Sequence, residues 1–289
     1  MDGGQFLSHS SSGLGYVASD NPGFLDRVKK NASFHSALMD VAFGTDHKDD
    51  MMKEVSDSDA TPGDEGYFSL QWNMEAIEAE AAWEAGCDGA GARVAVIDGG
   101  ISDVHPDIAP NLDTECSYST VPGHDFNEES SWGHASHVAG IIAGADNGIG
   151  TMGVAPSATL ISLKALNCGS GTFGQVIMAI AIAVDPESAG SALRGRPPAD
   201  IINLSLGTVY PKRIAKGFHA GLTKVMNFAA SKGVLVISAA GNDGIDFGQS
   251  KRDTGYGDLV SIPGTLGTGI AVSATGPQGF AYGANDFRR

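Results

Sequence analysis

The sequence places a carboxylate, an imidazole and a side-chain amide in three segments that could together catalyse acyl transfer. Asp98 follows the apolar residues 94–97, His134 opens an apolar stretch, and Asn242 follows Gly241. A base that takes the proton from a hydroxyl nucleophile needs a carboxylate to fix its tautomer. A side-chain amide can donate to the oxyanion that then develops. These residues are therefore candidates for the orienting acid, the base and the oxyanion donor of a serine hydrolase.

Each of these residues also has a plainer interpretation when it is considered alone. An aspartate at the end of a strand often caps a turn or the next helix, which would account for Asp98. Either His134 or His137 could be a structural histidine with satisfied hydrogen bonds. Asn242 after Gly241 is also typical of an ordinary turn. The catalytic interpretation therefore depends on whether the three segments meet in the fold.

The elements that must position these residues alternate between short apolar strands and helices. Strands are predicted at residues 93–97, 160–164, 201–205, 234–238 and, more weakly, 270–273. Helices are predicted at residues 75–84, 134–144, 173–184 and 218–231. Continuous apolar strands between helices indicate a mostly parallel sheet with helices on both faces. The predicted fold class is therefore α/β with three layers.

The candidate residues lie where predicted strands end. Asp98 ends one strand, residues 205–207 follow a second, and Gly241 with Asn242 follows a third. Open parallel sheets bind ligands beyond the carboxyl ends of their strands. The pattern therefore predicts a site at that edge of the sheet before any family is considered.

Composition excludes several classes of protein. The 289 residues carry a formal net charge of −16, which argues against a nucleic-acid partner because such partners need a basic surface. No apolar run reaches the length of a membrane span. The three cysteines, Cys87, Cys116 and Cys168, match no zinc pattern. We expect three buried thiols, with one disulfide and a free thiol as the alternative.

Residues 1–66 differ in character from residues 67–289. The first segment is rich in acidic residues, glycine and proline, and a helical pattern is predicted over residues 24–43. The first 20 residues show neither the basic nor the apolar region of an export signal. We expect residues 1–66 to be an acidic, partly disordered linker region and residues 67–289 to be the main domain.

Several motifs in one order resemble the subtilisin-like serine protease family. Residues 94–101 (Val-Ala-Val-Ile-Asp-Gly-Gly-Ile) resemble its acid motif, and residues 133–140 (Gly-His-Ala-Ser-His-Val-Ala-Gly) resemble its histidine motif. Residues 238–244 (Ser-Ala-Ala-Gly-Asn-Asp-Gly) resemble its oxyanion segment. The resemblance covers residues 71–287 and implies a subtilisin-like fold. It also implies the orienting role for Asp98, the base role for His134 and the oxyanion role for Asn242.

The resemblance further implies a cleft that binds polypeptide substrates as an added β-strand. Residues 202–207 (Ile-Asn-Leu-Ser-Leu-Gly) resemble the family's substrate-pairing strand. By this resemblance the cleft residues are Gly169, Ser170, Gly171, Ser205, Leu206, Gly207, Ala239, Ala240 and Gly241. The family also implies secretion and identifies residues 1–66 as the remnant of a pro-segment.

Residues 145–151 resemble the calcium loop of the same family. The carbonyl oxygens of Ala145, Ile149 and Thr151, with the side chains of Asn147 and Asp107, would form an all-oxygen site. Such ligands suit calcium. The alternative is a glycine-rich turn that follows the histidine helix and binds no metal.

The sequence departs from the family pattern at the nucleophile. The serines after Asn242 are Ser250, Ser261 and Ser273, and none lies in the family's Gly-Thr-Ser-x-Ala context. We therefore expect a fold that is incomplete at its C-terminus and a chain that is inactive alone, with a C-terminal segment in trans as a candidate partner. The alternatives are a non-catalytic pseudoprotease or peptide-binding module, and a calcium-binding α/β scaffold.

Overall fold

A six-stranded parallel sheet organises the computed structural model of the protein. The structure describes residues 5–9, 15–18, 24–30, 42–44, 66–129, 133–245, 247 and 258–274. The central sheet has the strand order β13-β11-β9-β4-β6-β5, and every neighbouring pair within it is parallel. The predicted mostly parallel α/β fold is therefore confirmed.

The described part of the chain contains thirteen strands. They are β1 (Gln5–His9), β2 (Gly15–Ala18), β3 (Ala42–Gly44), β4 (Arg93–Asp98), β5 (Tyr118–Ser119), β6 (Thr159–Lys164), β7 (Leu166–Asn167), β8 (Ser170–Thr172), β9 (Ile201–Leu204), β10 (Thr208–Pro211), β11 (Leu235–Ala239), β12 (Leu259–Ile262) and β13 (Ile270–Val272). The strands predicted from apolar runs correspond to β4, β6, β9, β11 and β13, with ends that differ by one residue or less.

Within the same described ranges, six α-helices and three short 3-10 helices accompany these strands. The α-helices are α1 (Phe24–Lys30), α2 (Trp72–Ala76), α3 (Ala79–Glu84), α4 (His134–Ala143), α5 (Phe173–Val184) and α6 (Lys212–Ser231). The 3-10 helices are Phe68–Leu70, Ala109–Asn111 and Pro186–Ala189. No helix in the described ranges combines the length and apolar character that crossing a bilayer requires.

The middle strands β4 and β6 of the central sheet are almost entirely buried, as their continuous apolar runs predict. In β4, Val94 and Val96 pack in the cluster that contains the buried alanines of α4. Ala95 and Ile97 pack in the larger cluster that contains the buried residues of α5 and α6. Successive side chains of a strand point to opposite faces. The strand β4 therefore packs against both helical layers. Its last residue, Asp98, is fixed where the carboxyl ends of the parallel strands lie.

Three smaller sheets accompany the central one among the residues that the structure describes. A three-stranded antiparallel sheet has the order β3-β8-β7, and β10 pairs antiparallel with β12. The strands β1 and β2 form a hairpin, and β2 lies against α5. The segment before residue 67 therefore contributes β3 to a sheet that also contains β7 and β8.

The structure corrects three predicted helices. The helix predicted over residues 24–43 is shorter, because residues 42–44 form β3, while residues 31–41 lie outside the described residues. The helix predicted at residues 75–84 is divided, since Glu78 adopts a left-handed conformation with φ 56°. The third helix begins at Lys212 rather than at residue 218, because the apolar stripe of α6 extends back to the buried Ala215.

The prediction of three buried thiols is wrong. Cys116 is buried, whereas Cys87 and Cys168 are exposed, and all three are free thiols. Burial raises the pKa of the Cys116 thiol, and Asp113 raises it further by accepting a hydrogen bond from it. Cys168 has a positive φ of 48° just before β8, which places it on a turn rather than in the core.

Candidate active site

Asp98 is a buried carboxylate at the carboxyl end of β4. It is 1% exposed, and its Oδ1 accepts a hydrogen bond from Gly99 N at 2.6 Å. Its Oδ2 lies 2.7 Å from His134 Nδ1. A buried carboxylate needs such partners, because burial without them is costly. The carboxylate therefore has the contact to the imidazole that an orienting acid requires.

His134 is the first residue of α4 and projects towards the end of β4. Its side chain is 17% exposed. Gly133, in a left-handed conformation with φ 56°, precedes the helix and directs the chain into it. Burial alone would lower the pKa of His134, but the hydrogen bond and the charge of Asp98 raise it, and the net shift is upward. The imidazole is thus held by Nδ1, which is the arrangement a general base needs.

The small residues after His134 let α4 pack closely on the sheet. Ala135 is 1% exposed in the cluster that also contains Val94 and Val96. Ser136 is buried, and its Oγ accepts a hydrogen bond from Ser102 N at 2.9 Å. The turn after Asp98 and the first turn of α4 are therefore joined directly.

The β8 strand of the predicted cleft is connected to the acid strand through Ala165. Ala165 N donates to Asp98 O at 2.8 Å. A Cβ on Gly171 would collide with Ala165 O, so only glycine permits this approach. Along the other edge of β8, β3 pairs antiparallel, with Phe43 opposite Gly171. The strand predicted to bind substrate therefore accepts an extended strand of the same chain.

The other predicted cleft segments leave the sheet at the same edge as Asp98. Strands β9 and β11 are parallel, with Leu204 opposite Ser238, so residues 205–207 and 239–241 follow at one edge. Ala240 N donates to Val272 O at 2.9 Å. A Cβ on Gly264 would lie 2.7 Å from Ala239 O. Residues 239 and 240 are therefore closely packed against β13 and against the turn that follows β12. The binding roles of both predicted segments stay predictions.

Asn242 lies on the loop that follows β11. It is exposed, and Gly241 before it has φ 103°, a conformation that favours glycine. The loop therefore turns sharply at the carboxyl ends of the strands. In the sheet, β9 lies between β11, which precedes this loop, and β4, which carries Asp98. This places Asn242 at the predicted edge of the sheet, and its role as oxyanion donor stays a prediction.

The predicted calcium loop is built around the buried carboxylate of Asp107. Asp107 is 6% exposed, and its Oδ2 accepts from Thr151 N at 3.1 Å. Its Oδ1 is buried and has no hydrogen-bond partner among the described residues. Asn147 Nδ2 donates to Pro106 O at 3.1 Å, and Ala145 N donates to Asp107 O at 2.7 Å. Hydrogen bonds thus join Ala145, Asn147 and Thr151 to the turn of residues 106–107.

The sequence predicts no role for two polar residues of β6 that the structure buries. Ser162 and Lys164 are 1% and 0% exposed, and both contact the turn that follows Asp98. The available signal was the alternation of polar residues with Ile161 and Leu163 at the end of an apolar strand. Such a pattern normally indicates a solvated face, whereas here that face is covered by backbone.

Comparisons with known proteins find relatives that match most of this chain. The model of a family described as the Subtilase family matches residues 89–285. Subtilisin Savinase of Lederbergia lenta is 35% identical over 208 residues, which cover 72% of this chain and 64% of that protein. An alkaline protease of Shouchella clausii is also 35% identical over 208 residues, covering 72% of this chain and 45% of its own length. The chain thus spans 45–64% of these relatives.

A further relative and a solved structure extend the comparison. The Minor extracellular protease Epr of Bacillus subtilis (strain 168) is 35% identical over 206 residues, which cover 71% of this chain and 26% of that protein. The crystal structure of a lanthipeptide protease has a TM-score of 0.56 and 24% identity, and the match covers 71% of this chain and 54% of that one. At this level of identity, the structural likeness is evidence of a shared fold.

Proposed function

Because the family match covers residues 89–285, this chain belongs to the subtilase family, and on that premise we propose that it is part of a serine endopeptidase. The observation that carries the proposal is the contact of 2.7 Å between His134 Nδ1 and Asp98 Oδ2, at the carboxyl edge of a parallel sheet. This contact holds the imidazole at Nδ1, so that Nε2 is the nitrogen that accepts a proton as the base.

In the proposed reaction, His134 Nε2 accepts the hydroxyl proton of a serine as the serine oxygen attacks the peptide carbonyl carbon. Asn242 donates its side-chain amide to the oxyanion of the tetrahedral intermediate. His134 then gives the proton to the leaving amine as the peptide bond breaks. Water repeats the sequence on the acyl-enzyme and regenerates the serine. Asp98 stays ionised and stabilises the imidazolium throughout.

The proposal places the nucleophilic serine outside these 289 residues. The serines after Asn242 lack the Gly-Thr-Ser-x-Ala context, and Ser261 is 1% exposed within β12. The nucleophile would come from a further segment of the protein, joined to this chain or bound in trans.

The substrates would be polypeptides that bind as an extended strand beside β8. This is supported by β3, which already pairs antiparallel with β8 through residues 42–44. We further propose that the region before residue 67 is a pro-segment, since it supplies this strand. The extracellular relative Epr supports a secreted protein.

We also propose that calcium binds to the loop of residues 145–151. The buried Asp107 Oδ1, which has no hydrogen-bond partner among the described residues, suits a hard cation. The carbonyls of Ala145, Ile149 and Thr151 would supply further oxygen ligands, as would Asn147 Oδ1, which accepts a hydrogen bond from Ile149 N. When bound, the ion would neutralise Asp107 and join its turn to the loop that follows α4. It would take no part in proton transfer.

Peptide hydrolysis tests the proposed activity. The 289 residues are fused to a family segment that carries Gly-Thr-Ser-x-Ala, and this protein is called the serine-bearing fusion below. We expect it to cleave unfolded casein internally, with the products identified by mass spectrometry. The competing hypothesis, a peptide-binding module without catalysis, predicts binding of casein peptides with no cleavage by the folded fusion.

A further inference from the structure

A buried lysine lies directly beside the acid strand. Lys164 is the last residue of β6 and is opposite Asp98 in the parallel register of β4 and β6. Its exposed fraction is 0%. Burying an ammonium group is costly unless hydrogen bonds and charges compensate for the lost hydration. The contacts of this side chain therefore require a specific explanation.

The ammonium group of Lys164 joins two backbone segments that meet at the site. Its Nζ donates to Gly99 O at 2.6 Å and to Glu128 O at 2.9 Å. Gly99 directly follows Asp98, and Glu128 lies in the loop that leads towards α4 and His134. One side chain thus connects the turn after the acid with the loop before the base.

Ser162 makes the equivalent connection two residues earlier on the same face of β6. Its Oγ donates to Phe126 O at 2.9 Å and accepts from Ile101 N at 3.2 Å. The two segments are tightly apposed, because a Cβ on Gly100 would lie 2.6 Å from Glu128 O. We call Ser162 and Lys164 together the β6 clamp.

The charged and titratable groups that act on Lys164 are Glu128, Cys168 and Asp98. Burial lowers the pKa of Lys164, and these three groups oppose that shift without cancelling it. Two backbone carbonyl oxygens accept hydrogen bonds from the ammonium, and the negative charges of Glu128 and Asp98 favour its charged form. The cation is thus coupled to the acid–base pair by geometry as well as by charge.

We propose that the β6 clamp positions the catalytic pair: Ser162 and Lys164 hold the turn after Asp98 against the loop before α4, so that the Asp98 carboxylate stays aligned on His134 Nδ1. The clamp touches no reacting atom, and it acts through Asp98. The functional meaning of this inference rests on the proposed peptidase activity, but the alignment itself can be measured without turnover.

The test follows the proton between His134 Nδ1 and Asp98 Oδ2 in the 289-residue chain. Its low-field NMR resonance is recorded, and its exchange with water is measured in the wild type and in Lys164→Met. We expect exchange to be about tenfold faster in the variant, since a charge-assisted hydrogen bond is lost. For Ser162→Ala, which removes a neutral hydrogen bond, we expect about threefold faster exchange.

Val94→Ala is the matched control. It truncates a buried side chain of β4 on the face that packs against α4, so it lowers stability without touching the clamp. We expect the bridging proton to exchange as in the wild type. If Val94→Ala accelerates exchange as much as Lys164→Met at equal loss of stability, the clamp is merely structural and the inference is wrong.

The remaining outcomes separate this inference from the proposed function. If Lys164→Met does not fold, Ser162→Ala decides, and unchanged exchange in that variant overturns the inference. If the bridging proton exchanges at the wild-type rate in both Lys164→Met and Ser162→Ala, the clamp does not position the pair. The proposed acid–base pair itself is then unaffected. If the wild type shows no resonance that Asp98→Asn removes, the proposed acid–base pair itself fails, and the proposed function fails with it.

Discussion

The region around Asp98 and His134, here called the acid–base region, is more deeply buried than the region around Asn242, here called the oxyanion region. In the acid–base region, Asp98 is 1% exposed, accepts a hydrogen bond from Gly99 N and contacts His134, and Lys164 binds the backbone of the turn that follows it. In the oxyanion region, Asn242 is exposed, and the neighbouring edge strand β13 has Ile270 and Val272 at 49% and 52% exposure. One region is fixed from several sides, whereas the other lies near the least covered edge of the described sheet.

This difference follows from sheet position. The strand β4 is flanked by β9 and β6, and both of its faces are covered by helices, so Asp98 cannot move without disturbing two layers. The strand β13 is at the end of the sheet and pairs only with β11 among the described strands. Elements with few buried contacts open most readily. We therefore expect substitutions in the acid–base region to have the larger consequences.

Removal of the base should have the largest effect. In the serine-bearing fusion, His134→Ala should lower kcat by about 10⁶, the magnitude known for subtilisin, because no group then takes the serine proton. His137→Ala is the matched control, since His137 lies on the same helix but is exposed. Initial rates of peptide hydrolysis measure both. Full activity in His134→Ala would reject the assignment of the base.

Neutralising the acid should have the next largest effect. Asp98→Asn keeps the size of the side chain but no longer fixes the tautomer of His134, so kcat should fall by about 10⁴. The comparison variant is Asp103→Asn in the same loop region, which should keep activity. A loss below tenfold in Asp98→Asn would mean that the contact of 2.7 Å has no catalytic consequence.

Truncation in the oxyanion region should cost less. Asn242→Ala should lower kcat by about 10²–10³ with little change in KM, a magnitude again known from subtilisin. Asp243→Ala, at the next exposed position, should leave kcat unchanged. A loss as large as that of His134→Ala would remove the distinction between the two regions.

Metal removal should weaken the acid–base region, because the predicted calcium loop directly follows α4. Chelation by EGTA should lower Tm by about 5–10 °C if calcium is present at about 100 times its Kd. In Asp107→Asn the same treatment should have a much smaller effect. Equal sensitivity of both proteins would exclude Asp107 as a ligand.

The pH dependence of stability should show the smallest effect. The folded pKa of His134 is raised, so its contribution to stability is present below the unfolded pKa of about 6.5 and is lost as pH rises through the folded value. The difference in free energy of unfolding between wild type and His134→Gln should therefore shrink as the pH rises from below the unfolded pKa through the raised folded pKa. Urea denaturation measures it. A difference that grows with pH would contradict the upward shift.

The sequence predicted the fold and the placement of the acid and base because both depend on local signals. Apolar runs identified β4, β6, β9, β11 and β13, and polar residues at their ends indicated the site. The pairing of β3 with β8 was not predictable, because it joins residues far apart in the chain. Lys164 was not recognised either, because its partners are backbone carbonyls that no side-chain pattern reveals.

Labelling with a fluorophosphonate tests most directly whether Asp98 and His134 form the acid–base pair of a serine peptidase. The 289-residue chain should remain unlabelled, the serine-bearing fusion should be labelled once at the serine of Gly-Thr-Ser-x-Ala, and His134→Ala should abolish that labelling. Stoichiometric labelling of Ser250, Ser261 or Ser273 in the 289-residue chain would contradict the account, as would labelling of the fusion that does not depend on His134.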